Sequence, residues 1–174
     1  GVMAIRRGHE VGAGRAGQLY DVGTAVRVVG LQVARGAIRV GTVGVQRFRL
    51  DVELAGAAYP LGEVTWLPEA AGDDAAVPAL AARLREAWKR YGEVVGAPDL
   101  PTDEEIGAPG ESGLAYAALD RLPLPLPERQ RVLDIATTSE RLTELVRVLR
   151  REAALASGLG TRPAPLPYGP PSLN

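Results

Sequence analysis

The 174-residue chain contains no cysteine. Disulfides, thiolate metal sites and cysteine nucleophiles are thereby excluded together, and a reducing, cytoplasmic location is the natural expectation. Histidine is nearly missing as well. His9 stands alone, without a His-Glu-x-x-His spacing or any cysteine to complete a zinc site, so no metal is expected. Lys89 is the only lysine, so the cationic surface is almost entirely arginine. Aromatic residues make up 5% of the chain, with a single phenylalanine, which leaves little for stacking nucleic-acid bases. No apolar run approaches the roughly 18 residues a membrane helix needs, so no membrane partner is expected. No leader pattern is visible, and the chain opens on Gly1 rather than methionine, as a fragment or processed product does.

What is present is enough apolar content, 46%, to build the core of one full domain or two small ones. The net charge of -1 argues against a generally basic surface. The charge is uneven, however: the first 50 residues hold eight arginines and two acids, a net of +6, leaving -7 for the remainder.

Two hydrophobic periods follow one another and change near Pro68. Up to Trp66 the valine-rich, glycine-broken segments Val2 to Ile5, Thr24 to Val29, Ala37 to Val45, Arg47 to Leu54 and Gly62 to Trp66 read as strands. Strict alternation places Phe48, Leu50, Val52 and Leu54 on one face of the fourth strand and Arg47, Arg49, Asp51 and Glu53 on the other. That pattern describes a core aromatic under a mixed-charge solvent face. After Pro68 the spacing becomes helical. Asp73 and Asp74 are placed to cap a helix carrying Val77, Leu80, Ala81, Leu84, Trp88 and Tyr91 on one stripe, with Pro78 in its first turn. A loop rich in proline, glycine and acids follows, then a short helix over Leu114 to Leu122 and another opened by Pro127. The last helix has a capping-box spacing at Thr137 and Glu140 and an apolar stripe of Leu142, Leu145, Val146, Leu149 and Ala153 ending near Gly158. The expected organisation is a β unit over 1–68, a helical unit over 69–158 and a disordered proline-rich tail over 159–174.

Few motifs carry chemistry. Gly12, Gly14 and Gly17 spell G-x-G-x-x-G, but no helix follows them to point its amides at a pyrophosphate, so a loop between strands is the better reading. His9 and Glu10 flank that loop. Ser112 lacks the second glycine of a nucleophile elbow and fits a helix N-cap. Asp103, Glu104 and Glu105 are adjacent loop acids of the kind that serve solvation. No catalytic residue and no cofactor are expected.

Four stretches in order, "LYDVGTAVRVV" at 19–29, "VGTVGVQRFRLDVEL" at 40–54, "YPLGEVTWLPE" at 59–69 and "LPLPERQRVLDIATTSERLTELVRVLRRE" at 124–152, resemble the Lon protease N-terminal, or Lon substrate-binding, domain family. The resemblance implies an α+β fold, a PUA-like β-barrel followed by an α-helical bundle. It also implies an opening strand and short helix that would precede Gly1, so the barrel is expected to be incomplete. The Walker loop and serine-lysine dyad of a complete Lon protease have no counterpart among these residues.

The expectation is therefore a non-enzymatic polypeptide-recognition module whose partners are unfolded or apolar-exposing polypeptides, with self-association as a further implication of the resemblance. Tyr59, Leu61, Val64 and Trp66, near the change of period, are the candidate binding residues, although junction core is the competing reading of each. The alternative is an RNA-binding PUA-like module contacting phosphate through Arg47 and Arg49, helped by Arg6, Arg7 and Arg39. Asp51 and Glu53 on the same strand count against it.

Overall fold

The computed structural model describes residues 1–7, 18–34, 37–54, 59–102 and 110–159. The chain divides into two compact units, Gly1–Pro68 and Glu69–Asn174. An antiparallel sheet in the first and helices in the second give the α+β class expected from the sequence.

The first unit holds β1 (Val22–Ala34), β2 (Ala37–Leu54) and β3 (Leu61–Leu67), hydrogen-bonded in the order β1-β2-β3. Two features depart from the sequence reading. The strands expected over Ala37 to Val45 and Arg47 to Leu54 are one continuous strand, because Gln46 stays in register opposite Ala25 and bulges beside it absorb the offset. The strand expected over Val2 to Ile5 is reduced to isolated bridges, Val2 with Thr24 and Ile5 with Leu19. The small core is centred on Val22 and Phe48. Gly23 makes that packing possible, since a Cβ there would collide with Met3 Sδ and lie 2.8 Å from Phe48 Cζ.

The second unit begins with a short 3-10 turn, Asp74–Ala76, capped by the Asp73 carboxylate, which accepts the Ala76 amide. It runs into α1 (Val77–Val95), with Pro78 tolerated in the first turn and Gly96 closing the helix in the left-handed region at φ 74°. Next come α2 (Glu111–Arg121), α3 (Leu126–Asp134) and α4 (Thr138–Leu159). The apolar stripes read from the sequence meet in one core: Leu84, Trp88 and Tyr91 from α1, Leu114 and Ala118 from α2, Val132 from α3, and Leu142, Leu145, Val148 and Leu149 from α4. Inside it the Trp88 indole donates to Pro98 O at 2.9 Å, which removes the cost of burying its N–H.

The start of α4 is capped by the expected pair, Thr137 and Glu140, with the return contact made to the threonine hydroxyl. Thr137 Oγ1 accepts the Glu140 amide at 3.3 Å and donates to the Glu140 carboxylate at 2.8 Å. The segment 69–73 lies across the same helix end. Ala70 O and Ala71 O accept the Thr138 and Ser139 amides, and Ser139 Oγ accepts the Asp73 amide. The Thr138 and Ser139 amides in the first turn of α4 are thus satisfied by the segment that opens the unit. Gly72, at φ 79°, makes the turn in this segment, where a Cβ would strike Ser139 Oγ and sit 2.8 Å from Thr137 Cβ.

Candidate functional site

The candidate residues of the first unit lie on the β2–β3 pair. There Phe48 faces Trp66, Leu50 faces Val64, Arg47 faces Leu67 and Arg49 faces Thr65. A bulge between Leu50 and Val52 then shifts the ladder, so that Val52 faces Glu63 and Leu54 faces Leu61. Directly opposed residues of an antiparallel pair share a face, and alternate residues along a strand change face. Phe48, Leu50, Val64 and Trp66 therefore form one face, while Leu54 and Leu61 fall on the other. The extra residue at Asp51 is what breaks the simple alternation, and it overturns the expectation that Val52 and Leu54 continue the face of Phe48. Asp51 itself accepts the Thr65 hydroxyl at 2.8 Å.

The structure accordingly brings Val64 and Trp66 together and separates Leu61 from them. Trp66 packs edge-on against the buried Phe48 ring, centroids 6.1 Å apart and planes at 79°, while staying 54% exposed. It is half anchored and half presented to solvent. Val64 is half-buried, and Leu61 and Tyr59 are exposed, with Tyr59 ahead of β3 and outside its ladder. Leu50 also lines a shallow depression of about 360 Å³ shared with Arg6, Tyr20, Asp21, Asp51 and Glu53. Arg6 lies 4.9 Å above the Tyr20 ring and 3.8 Å from Asp21. An apolar stripe thus borders a polar rim.

The arginine reading is corrected. Arg47 is 3% exposed, not on a solvent face, because both faces of β2 are covered at that point and only Arg49 of the two remains exposed. A buried guanidinium is not available for phosphate contacts of the kind that an RNA-binding face needs.

The sequence reading missed a polar cluster in the second unit. Arg141, with no solvent exposure, pairs with Glu69 at 3.0 Å, donates to Ile135 O at 2.7 Å and lies 4.6 Å from the Tyr116 ring centroid. The Glu69 carboxylate also accepts Ser112 Oγ at 3.0 Å and Tyr116 Oη at 2.6 Å. Ser112 is thus not an N-cap, a place taken by Gly110, but a donor to Glu69. One signal was present in the sequence: Arg141 falls at helical spacing with Leu145 and Val148, and a charge on an apolar stripe calls for a buried partner. The Glu69 carboxylate is held by the Arg141 guanidinium as well as by the two hydroxyls, so the cluster compensates a buried charge and reads as structural.

Among the described residues no group of three acids or histidines is placed to hold a metal ion, and no helix is long and apolar enough to cross a membrane. His9, Glu10, the Gly12-Gly14-Gly17 loop, Asp103, Glu104, Glu105 and the tail from 160 onward lie outside the described residues.

A family model of the ATP-dependent protease La (LON) substrate-binding domain matches residues 1–151. Lon protease of Brevibacillus choshinensis is 30% identical over 141 residues, covering 79% of this chain and 18% of that protein. Lon protease 1 of Sorangium cellulosum is 33% identical over 97 residues, covering 55% of this chain and 12% of that protein. The chain thus spans less than a fifth of the length of these relatives. Among solved structures, the N-terminal domain of a Mycobacterium avium complex Lon protease superposes with a TM-score of 0.57 at 20% identity, covering 76% of this chain and 72% of that one, a likeness of fold.

Proposed function

The chain belongs to the LON substrate-binding domain family, and from that premise we propose that it recognises polypeptide segments exposing apolar side chains, by binding rather than by chemistry of its own. The observation that carries the reading is Trp66: packed against Phe48 beneath it, it still offers more than half its surface, beside Val64 and Leu50. Aromatic side chains held in place on one side and exposed on the other are the usual anchors of protein interfaces, because they bury large area at little conformational cost. Leu61, on the opposite face from Trp66, and Tyr59, ahead of the strand, add exposed apolar area around β3. A cytoplasmic location and association of the chain with itself belong to the same proposal, the first supported by the absence of cysteine.

The test is titration of a reduced, unfolded model polypeptide at low and moderate salt. Removal of apolar surface from water drives such binding, so affinity should survive moderate salt and fall about tenfold or more in Trp66→Ala, a hot-spot loss of about 1.4 kcal/mol or greater. Binding that vanishes with salt and ignores Trp66 refutes the reading.

A further inference from the structure

The helices of the second unit are not all held in the same way. α1 buries six residues and α2 five, whereas α3 buries one, Val132. Removal of apolar area from water is the main force fixing a helix on its neighbours, so α3 draws little from it. Charge supplies a larger share. Glu128 lies 2.5 Å from Arg151 and Arg131 lies 2.8 Å from Glu144, so α3 runs antiparallel to α4 with an ion pair on either side of their contact. These four side chains are between 19% and 54% exposed, shielded enough to attract one another and open enough to feel salt. A third pair, Arg129 with Asp120 of α2 at 3.5 Å, is too exposed at its acid to add much.

Between the two pairs the seat is apolar. Val148 comes four residues after Glu144 and three before Arg151, which puts it on their stripe of α4, and Val132 comes four residues after Glu128 on α3. Both valines have no solvent exposure. The segment is also pinned beyond its ends, since Leu124 and Thr138 are buried and Arg141 donates to Ile135 O at 2.7 Å. A segment pinned at both ends and thinly seated between them opens locally, because its opening costs only the contacts that it loses itself. Opening strands no charge. Glu144 keeps Arg147 at 2.7 Å and Arg151 keeps Glu152 at 2.8 Å, while Glu128 and Arg131, of opposite sign and three residues apart, can meet each other along α3.

We propose that α3 is a strap latched by ion pairs: Glu128–Arg151 and Arg131–Glu144 hold it closed over Val148, and rising ionic strength opens it as a unit while α1, α2 and α4 stay folded. The inference is independent of the polypeptide-recognition reading. Opening uncovers the apolar stripe of α4 at Val148, which the closed strap removes from water. The test is amide hydrogen exchange on the full chain in sodium chloride at about 0.02 M and about 0.5 M, a range over which the screening length falls several-fold. At low salt the α3 amides should exchange at least about tenfold faster than those of Leu84–Tyr91 in α1 and Leu142–Leu149 in α4. High salt should speed α3 by a further factor of about five and leave the other two segments unchanged. The double change Arg131→Gln, Arg151→Gln should give the fast exchange already at low salt and abolish the response to salt. Exchange in α3 as slow as in α4, a salt response shared by all the helices, or a salt response that survives the double change overturns the proposal. Should the double variant fail to fold, the comparison of α3 with α1 and α4 in the wild-type chain at the two salt concentrations decides by itself.

Discussion

Replacing Glu69 by alanine tests whether the Arg141 cluster holds the second unit together. Arg141 is wholly buried, while the Glu69 side chain is 34% exposed. Removing one partner of a fully buried pair costs about 3–5 kcal/mol, because the other charge is left without compensation. Partial access of water to Glu69 lowers that figure here, and loss of the acceptor for Ser112 Oγ and Tyr116 Oη raises it. An intermediate value of about 2–4 kcal/mol follows. Arg141→Met removes the charge and fills most of its volume, but it removes the hydrogen bond to the Ile135 carbonyl and costs about 1–3 kcal/mol. If the two side chains act as a pair, the Arg141→Met change should cost about 1–2 kcal/mol less in the Glu69→Ala background than in the wild type. The assay is urea unfolding in a Trp66→Phe background, where Trp88, buried in the second unit, is the only tryptophan left. With a denaturant slope of about 2 kcal/mol per molar, Glu69→Ala should move the midpoint by about 1–2 M. Single changes that add to within about 0.5 kcal/mol in the double variant would refute the coupling.

Four further outcomes are expected. Leu145→Asp puts a charge without a partner at a position with no solvent exposure, so the second unit should fail to fold, seen as a red-shifted Trp88 emission in the same background. Gly72→Ala and Gly96→Ala both force alanine to positive φ, but only Gly72 also meets side chains, so Gly72→Ala should destabilise by clearly more than the roughly 1 kcal/mol expected at Gly96, seen as the larger fall in melting temperature. Glu144 is held below the usual carboxylate range, first by its hydrogen bond from Arg147 against the opposing effect of burial, then by the charges of Arg147 and Arg131. A depressed folded pKa gives stability that is complete above the unfolded value and lost as pH falls through the folded one, so Glu144→Gln should lower stability by a constant amount at neutral and alkaline pH and converge on the wild type in acid, flattening the acid side of the profile.

The helical unit was legible because its signals are local. The capping box at Thr137 and Glu140, the first-turn prolines and the stripes through Leu84, Trp88 and Leu145 each need only three or four residues of context, and each is found where the spacing puts it. Arg141 was less legible because a buried charge is explained by its partner, and Glu69 lies 72 residues away in sequence.

The sheet hid more, for a reason that bears on the proposed recognition surface. Period-two reading assigns a face to every residue from one starting point, and a single inserted residue reverses every assignment beyond it. Asp51 does this on β2, moving Val52 and Leu54 away from Phe48, and Val29 does it on β1. Nothing in "RLDVEL" or "RVVGLQ" marks the insertion, because a bulge is a property of two strands in register and neither strand shows it alone. Had β2 alternated without interruption, Val52 and Leu54 would lie beside Leu50 and Val64, and the aliphatic surface around Trp66 would run on along the sheet. The bulge instead sends those two aliphatics to the opposite face, opposite Glu63 and Leu61. The stripe at Trp66 therefore ends at the Leu50–Val64 pair, next to the polar depression that Leu50 also lines. A segment seated on Trp66 as proposed would meet apolar contact only as far as the Leu50–Val64 pair before reaching charge, and that length, set by Asp51, would limit what such a site could select.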